Sequence, residues 1–276
     1  MKKLFVSTLL LMSACVLAQD LPKIKGSGIV TLKEEVLTEP FDRIDIDGDF
    51  EIELQQGSTN QYSIETDDNL IEVVTFQVAN NTLTIAGTHR IIKKKRLKII
   101  LIVSTIAEIH LNNEARIQSD RLIKGENLLL TAGKGSKFDL DLAYTEAITM
   151  ELFSDADGAV KVKSQNSKVT LDGRASLKMY VLVDVLESQL KDSSRATLDG
   201  AVGSLNGTLS DSAKLNAKDA LLTTAALTLS DNSDAYVNVK EAITLYAQDT
   251  STIELYGDPT ITVDGLKNRA KILKKD

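Results

Sequence analysis

The chain has 276 residues, of which 43% are hydrophobic and 26% charged, and its formal net charge at pH 7 is −7. This length and composition fit one or two folded domains with a sizeable core and differ from those of a disordered chain. The negative charge argues against binding to nucleic acid or to an anionic membrane, because both need a basic protein surface.

Residues 1–18 have the pattern of a secretory signal peptide. Lys2 and Lys3 precede an apolar run from Leu4 to Leu17, which is shorter than the roughly 20 residues that span a bilayer. We predict cleavage after Ala18, which takes the net charge from −7 to −9. The mature protein is therefore expected outside the cytoplasm (periplasmic, on the outer surface or secreted), without a transmembrane span.

The single cysteine, Cys15, lies inside this leader. The segment from Met12 to Cys15 loosely resembles the small-residue box before a bacterial lipoprotein cysteine, so lipid attachment is an alternative. Val16 and Leu17 are apolar where a lipoprotein usually turns polar, which favours removal of Cys15 with the leader. The mature protein would then contain no disulfide, and a large core can do without one.

Residues 19–104 form a β-rich N-terminal portion with almost no helical signal. Apolar and polar residues alternate strictly over Ile44–Asp47 and Phe50–Leu54, which predicts half-buried strands. Lys98–Val103 is a nearly continuous aliphatic run, which is typical of a strand buried on both faces.

Residues 105–258 contain a repeat of roughly 19 residues, and this repeat predicts the fold. Four positions after each repeat leucine the residue is usually small, as at Ala115, Ala156 and Ala175. A fixed period marks a solenoid, in which each unit buries its face only by stacking on its neighbours. The leucines that precede the polar turns are Leu111, Leu130, Leu152, Leu171, Leu190, Leu209, Leu229 and Leu245.

The repeat predicts an all-β, single-chain parallel β-helix of about eight coils, continuous with residues 26–104. Coils that rise about 4.8 Å each would give a rod roughly 40 Å long. Leucine-rich repeats have a similar length, but they need a helix or its equivalent on the outer face and an asparagine ladder, and the sequence shows neither.

Short motifs occur in a fixed order before the repeat. They are Gly26-Ser27-Gly28, Phe41-Asp42-Arg43-Ile44, Gln56-Gly57, Asp67-Asp68-Asn69-Leu70 and Asn81-Thr82-Leu83-Thr84-Ile85. Over residues 26–257 the chain resembles the auto-transporter adhesin head GIN-domain family, which comprises secreted bacterial domains of unknown function. The resemblance implies an adhesin-like role by analogy only, since a fold does not fix a function. Here the coil turns are Ser-Asp, Asp-Ser and Asp-Asn, whereas the family typically repeats Gly-Ser-Gly-Asp.

The motifs of the common enzyme classes are missing from the sequence. His89 and His110 have no second histidine or cysteine at ligand spacing, and surface positions at strand ends are expected for both. The chain has no Gly-x-Ser-x-Gly elbow, phosphate loop or dinucleotide fingerprint. We therefore predict no catalytic residue, no bound cofactor and no metal site.

Asp192, Asp211 and Asp231 each lie two residues after a repeat leucine, so a β-helix would stack them about 4.8 Å apart. Like charges at that separation repel each other. The three carboxylates could bind calcium, which prefers oxygen ligands. Alternatively, each could cap its own turn through a backbone hydrogen bond while facing solvent, and this interpretation is favoured.

The sequence contains two basic stretches. Lys93, Lys94, Lys95 and Arg96 could bind an anionic envelope polymer, form a solvated loop or protect a sheet edge from aggregation. Residues 259–276 are expected to cap the last coil or to form a basic tail, because solenoid ends need a polar cover. The basic residues of this second stretch are Lys267, Arg269, Lys271, Lys274 and Lys275.

Two functions from different classes follow. The first is a non-enzymatic cell-envelope or secreted protein, an adhesin-like binding or structural module whose partner is an envelope polymer, another protein or a second copy of itself. The alternative is a β-helical polysaccharide-active enzyme, either a lyase or a glycosidase. The few aromatic residues and the lack of tryptophan favour the binding module, whereas a deep cleft along one face would favour the enzyme.

Overall fold

A computed structural model describes residues 21–275, and the predicted signal peptide and Cys15 lie outside this range. Apart from one short 3-10 helix at Asp68–Leu70, its regular elements are all β-strands. The strands are β1 (Lys23–Lys25), β2 (Val30–Val36), β3 (Arg43–Asp47), β4 (Glu51–Gln56), β5 (Gln61–Asp67), β6 (Val74–Ala79), β7 (Thr82–Gly87), β8 (Arg90–Lys93), β9 (Leu97–Val103), β10 (Glu108–Asn112), β11 (Arg116–Gln118), β12 (Ile123–Ala132), β13 (Lys137–Leu152), β14 (Asp157–Leu171), β15 (Ser176–Leu190), β16 (Arg195–Leu209), β17 (Lys214–Leu229), β18 (Asp234–Ala247), β19 (Thr252–Tyr256), β20 (Thr260–Leu266) and β21 (Lys271–Lys274).

The predicted parallel β-helix is confirmed, with about nine turns where the sequence predicts about eight. Each of the strands β13 to β18 forms most of one turn and pairs in parallel with the strands before and after it. In β15, for example, Leu177 lies between Gly158 of β14 and Ala196 of β16. The repeat in the sequence is thus the circumference of the solenoid.

Each long strand bends once, at the point where two consecutive residues interrupt the alternation of inward- and outward-pointing side chains. In β15 every second residue from Leu177 to Val183 is buried, and the alternation resumes at Leu186 after the exposed Asp184. The bend divides each turn into two sides. The first side continues into β19 and β21 and the second side into β20. Aliphatic columns from both sides meet in one hydrophobic core that extends from Phe41 to Leu255.

A tight turn closes each coil and explains the polar part of the repeat. Its second residue has a φ between 45° and 72°, the left-handed region that aspartate, asparagine and glycine adopt most readily. Two positions later the chain re-enters the core, where the N–H of Ser194 donates to the Lys191 carbonyl at 3.2 Å and leaves room only for a small side chain. The left-handed residues are Asn113, Lys134, Ser154, Gly173, Asp192, Asp211, Asp231, Asp249 and Asn268.

The structure corrects two members of the predicted repeat. Ala132, rather than Leu130, lies beside Leu111 at the position before the turn, and Ala247, rather than Leu245, is the equivalent residue near the C-terminal end. Successive turns are then 18–21 residues apart, a narrower range than the leucines suggest. The repeat was aligned on leucines, but the inward position before the turn accepts alanine as well as leucine. Leu130 and Leu245 were therefore chosen in place of Ala132 and Ala247.

The parallel stack continues across residue 104 into the N-terminal portion, but its spatial order differs from chain order. β3 lies between β7 and β10, and β4 lies between β9 and β11, all in parallel. β7 and β9 therefore form a coil outside β3 and β4. Beyond this coil the strand direction reverses, since β6 pairs with β7, β5 with β9, and β2 with β5, each in antiparallel orientation.

A separate two-stranded parallel sheet of β1 and β8 lies beside this end of the molecule. Within residues 21–275, no helix is both long and apolar enough to cross a membrane.

Candidate binding surfaces

The aspartate column is the stack of Asp192, Asp211, Asp231 and Asp249 along the tight turns. Each carboxylate from Asp211 onward accepts a hydrogen bond from the backbone N–H of the preceding aspartate, at 3.5, 3.3 and 3.3 Å. The side chain of Asn268 donates to Asp249 at 2.8 Å and ends the column. These contacts run between coils, so each carboxylate caps the neighbouring turn rather than its own.

At the N-terminal end of the aspartate column, Asp192 lies close to a further carboxylate, that of Asp172. A hydrogen bond with Asp172, burial and the charges of Asp172 and Asp211 raise the pKa of Asp192 above its ordinary value. Serine hydroxyl groups offset part of this repulsion further along, because Ser210 donates to Asp211 at 2.9 Å and Ser230 to Asp231 at 2.8 Å.

The carboxylates of the aspartate column accept backbone hydrogen bonds, as the capping interpretation expects, but from the neighbouring turn, so the expectation that each aspartate caps its own turn is wrong. Every carboxylate from Asp211 to Asp249 already accepts hydrogen bonds from the protein. In the part of the chain that the structure describes, no group of three or more His, Cys, Asp or Glu side chains is arranged to hold a metal ion.

The basic run lies at the end of β8 and in the loop that leads to β9. This loop is held by the buried carboxylate of Asp67, which accepts hydrogen bonds from the backbone N–H groups of Lys95 at 2.8 Å, Gly28 at 2.5 Å and Arg96 at 3.4 Å. Burial acts to raise the pKa of Asp67, but these N–H groups hold it below its usual range. The run therefore has a structural role that its sequence did not indicate.

Two of the four cations in this run are engaged by neighbouring residues. Arg96 forms an ion pair with Glu65 at 2.5 Å, and the ammonium group of Lys95 donates to the carbonyl of Gly28 at 3.2 Å. Among the described residues, Lys93 and Lys94 form no ion pair, so only these two side chains remain available to an anionic polymer.

The two histidines have different surroundings. His89 lies between β7 and β8, as expected for a strand end, and its Nδ1 is 3.0 Å from the Thr88 hydroxyl group. His110 instead lies within β10, where Nδ1 contacts the Thr131 hydroxyl group at 2.6 Å and Nε2 is 3.3 Å from Glu108. The expectation of a strand end is therefore wrong for His110.

The described chain has two shallow surface depressions that could hold a ligand. One, of about 270 Å³, lies over the first side of the solenoid and is lined by charged residues that include Arg116, Lys137 and Lys178. The other, of about 380 Å³, lies beside β2 between Glu34, Val36 and Ile102. Both are open to solvent, unlike the deep cleft that would favour the enzyme.

Midway along the first side, three lysines lie near an exposed tyrosine. Lys161 lies beside Tyr180, Lys163 lies beside the exposed Leu182 two residues further along, and Lys178 lies two residues before Tyr180 on the same face. Within residues 21–275 none of these lysines forms an ion pair. We call Lys161, Lys163, Lys178 and Tyr180 the lysine patch, which sequence reasoning missed because its members become neighbours only through the coil register.

Comparisons with known proteins agree with this architecture. Among curated proteins, none matches the chain. Among solved structures, a putative adhesin from Parabacteroides merdae is 15% identical with a TM-score of 0.62, and one from Parabacteroides distasonis is 17% identical with a TM-score of 0.64. A putative lipid binding protein from Parabacteroides distasonis is 16% identical with a TM-score of 0.61. Each alignment covers 92% of this chain and 100% of the other.

These identities establish similarity of fold alone, whereas the family follows from the sequence itself. The family described as "Putative auto-transporter adhesin, head GIN domain" matches residues 40–259, which is most of the chain. This match overlaps almost all of residues 26–257, the range that the ordered motifs and the repeat indicate. The protein belongs to the auto-transporter adhesin head GIN-domain family.

Proposed function

We propose that the protein is a non-enzymatic, adhesin-like module that works outside the cytoplasm and binds an anionic envelope polymer through the lysine patch. The family and its structural relatives, which are described as adhesins, support the adhesin-like part of this proposal. The lysine patch supports the choice of ligand, and it is the observation that carries the proposal.

The chemistry of the lysine patch suits an acidic polysaccharide. The three exposed lysines form no ion pair within the described chain and can each contact an anionic group, although Asp141 lies beside Lys161 and Asp199 lies beside Tyr180 in the neighbouring coils. Tyr180 is 46% exposed and adds an aromatic surface beside the cations. The strands that carry these side chains are held on both edges by parallel pairing, so the backbone beneath the patch is fixed before a ligand arrives.

Binding to polygalacturonate, an acidic polysaccharide, tests this proposal, with neutral dextran as the comparison ligand. The variant K161Q/K163Q/K178Q should bind roughly tenfold more weakly than the parent protein, because each exposed charge contact contributes up to about 1 kcal/mol. The matched control K168Q/K191Q/K218Q removes three exposed lysines elsewhere and should retain binding. Equal losses in the two triple variants would overturn the patch as the site.

The same probe distinguishes the binding module from the enzyme. A lyase would release unsaturated uronic ends from polygalacturonate, and a glycosidase would release reducing ends, whereas a binding module leaves the polymer intact. Anionic lipid vesicles form a further arm, because one structural relative is described as lipid-binding. Binding to vesicles but not to polysaccharide would move the ligand from a glycan to a lipid headgroup.

The proposed location rests on the leader in the sequence, which lies outside the described residues. We propose export followed by cleavage after Ala18, with lipidation at Cys15 as the alternative. Intact mass and membrane fractionation of protein expressed in a bacterial host separate the two. A soluble species that begins at Gln19 supports cleavage after Ala18, whereas a membrane-bound species that begins at an acylated Cys15 would make the protein a lipoprotein.

A further inference from the structure

Two segments that meet at the N-terminal end of the molecule contain basic residues but no acidic ones. No aspartate or glutamate occurs in residues 21–33 or in residues 73–107. The negative net charge of the whole chain therefore does not describe this end. Five of its cations are exposed and form no ion pair within residues 21–275, namely Lys23, Lys25, Arg90, Lys93 and Lys94.

The two-stranded sheet of β1 and β8 brings four of these cations together. Lys23 lies beside Arg90, and Lys25 lies beside Lys93. Paired residues of neighbouring strands share one face of a sheet, and successive residues alternate between the two faces. Ile91, which follows Arg90, packs against the core. The cations therefore lie on the opposite face of this sheet, which points to solution.

Three large aliphatic side chains are exposed around the same cations. Leu21 and Ile29 are 50% and 65% exposed, and they lie just before and just after β1 in the chain. Ile92 is 58% exposed, and the register of the β1–β8 pairing passes over it. We call these three residues and the five cations the amphipathic face.

The loops of the amphipathic face are joined at Asp67. Its carboxylate accepts hydrogen bonds from the backbone N–H groups of Lys95 and Gly28, and the Lys95 ammonium group donates to the Gly28 carbonyl. Ile29 and Lys94 each lie one residue from this junction, so an aliphatic side chain and a cation are presented on adjoining loops.

Two acidic side chains near this junction reduce the positive charge only slightly. Glu65 forms an ion pair with Arg96, which is not one of the five cations. Asp68 is exposed and accepts a hydrogen bond from the Ser27 hydroxyl group at 2.5 Å. Even with the charge of Asp68 counted, the five cations leave the amphipathic face strongly positive.

Cations interspersed with exposed aliphatic side chains fit the surface of an anionic bilayer. Each cation near such a surface strengthens binding about fivefold through attraction to the lipid headgroups. Aliphatic side chains enter the boundary between headgroups and acyl chains. A soluble acidic glycan would satisfy the cations but has no apolar region to take up Leu21, Ile29 and Ile92.

We propose that the amphipathic face docks the protein on an anionic phospholipid bilayer, with its cations among the headgroups and its aliphatic side chains at the acyl boundary. This surface is separate from the lysine patch, which begins on the first side four strands beyond β9, roughly 20 Å along the solenoid. Docking through the amphipathic face therefore leaves the lysine patch free to bind a polymer.

A single tryptophan reports this contact directly, because the sequence contains none. In the mature chain from Gln19, without an acyl group, the fluorescence of I92W should shift to the blue on addition of vesicles of phosphatidylcholine and phosphatidylglycerol. Vesicles of phosphatidylcholine alone should cause no shift. The control L182W places the reporter beside the lysine patch and should not respond. A shift in L182W but not in I92W, or in neither, would overturn the proposal.

Sedimentation with the same mixed vesicles measures the part that charge plays. K25Q/K93Q/K94Q should lower the partition coefficient about tenfold or more, because three cations leave the interface. K161Q/K163Q/K178Q removes the same charge from the lysine patch and should bind vesicles like the parent protein. Equal losses in the two variants would overturn the amphipathic face as the site. Binding to polygalacturonate depends on the second set of lysines, so the two proposals can fail separately.

The aliphatic side chains are tested in the same way. I29N/I92N leaves the charge unchanged and should lower the partition coefficient about tenfold, because two apolar side chains no longer enter the acyl boundary. The control L182N/L221N changes residues that are 43% and 52% exposed elsewhere on the solenoid and should have no effect. Undiminished binding of I29N/I92N would show attraction by charge alone and overturn the insertion of aliphatic side chains.

Discussion

The two ends of the solenoid are built from the same parallel coils but finished in different ways. At the N-terminal end the chain reverses direction, and β5 and β6 cover a coil in which Ile85 and Leu101 are fully buried. At the C-terminal end β20 and β21 keep the parallel direction, and Ile261 stays about half exposed. An antiparallel layer thus closes the core, whereas one more parallel coil only moves the open surface outward.

Truncation of one isoleucine at each end measures this difference most directly. Ile85→Ala should lower the free energy of unfolding by about 2–5 kcal/mol, because it leaves a cavity in a closed core. Ile261→Ala makes the same chemical change at the open end and should cost about 1 kcal/mol or less, because much of that side chain is already in water. Urea unfolding followed by circular dichroism measures both values. Equal losses would show that the C-terminal end is also covered in solution.

Between the two ends, the interior of the solenoid has no spare volume at Gly158. A Cβ atom at this position would lie 2.2 Å from the ring of Phe138, which occupies the same inward column one coil earlier. Gly158→Ala should therefore lower the free energy of unfolding by about 1–3 kcal/mol through overpacking. The double variant F138L/G158A should recover part of the loss, because the smaller side chain makes room. No recovery would indicate that the backbone, rather than the ring, sets the limit.

The N-terminal end should also be the end that acid loosens first. Since the folded-state pKa of Asp67 lies below its ordinary value, its stabilising hydrogen bonds are fully present above about pH 4 and are lost as the pH falls through the depressed pKa. Hydrogen exchange of the Lys95 and Gly28 amides should accelerate below that pH, while amides of β20 should not change in step. In Asp67→Asn these amides should exchange faster at neutral pH and lose most of their acid dependence.

Much of the fold could be predicted from the sequence because each coil repeats the same physical demand. Every turn needs a left-handed residue and a small inward residue two positions later, and Asp211 with Ala213 or Asp231 with Ser233 meet that demand visibly. The predictions failed where two residue types suit one position equally, as at Ala132, or where distant segments meet. Nothing local indicates that β7 and β9 lie outside β3 and β4, since that order depends on long-range pairing.

The candidate site was less predictable than the fold. Lys161, Lys178 and Tyr180 become one surface only when the coil register is known, and a shift of one residue would send each to the other face of its strand. The basic run showed the opposite problem. Its charges are obvious in the sequence, but its backbone N–H groups, which bind Asp67, are what the fold uses.

The smallest expected effect lies in the aspartate column, which joins the coils toward the open end. The pKa of Asp192 is raised in the folded protein, so folding disfavours its ionised form. The protonated side chain therefore stabilises the fold, fully below the pKa of the unfolded state, and this stabilisation is lost as the pH rises through the folded-state pKa. Asp192→Asn keeps the left-handed conformation but removes the charge, so it should raise Tm slightly at pH 7 and have no effect well below pH 4.

Calcium should leave Tm unchanged in both proteins if the carboxylates cap turns. A calcium-dependent rise in the parent protein alone would instead make the column a metal site, and the C-terminal half would then be stabilised by an ion rather than by its turns.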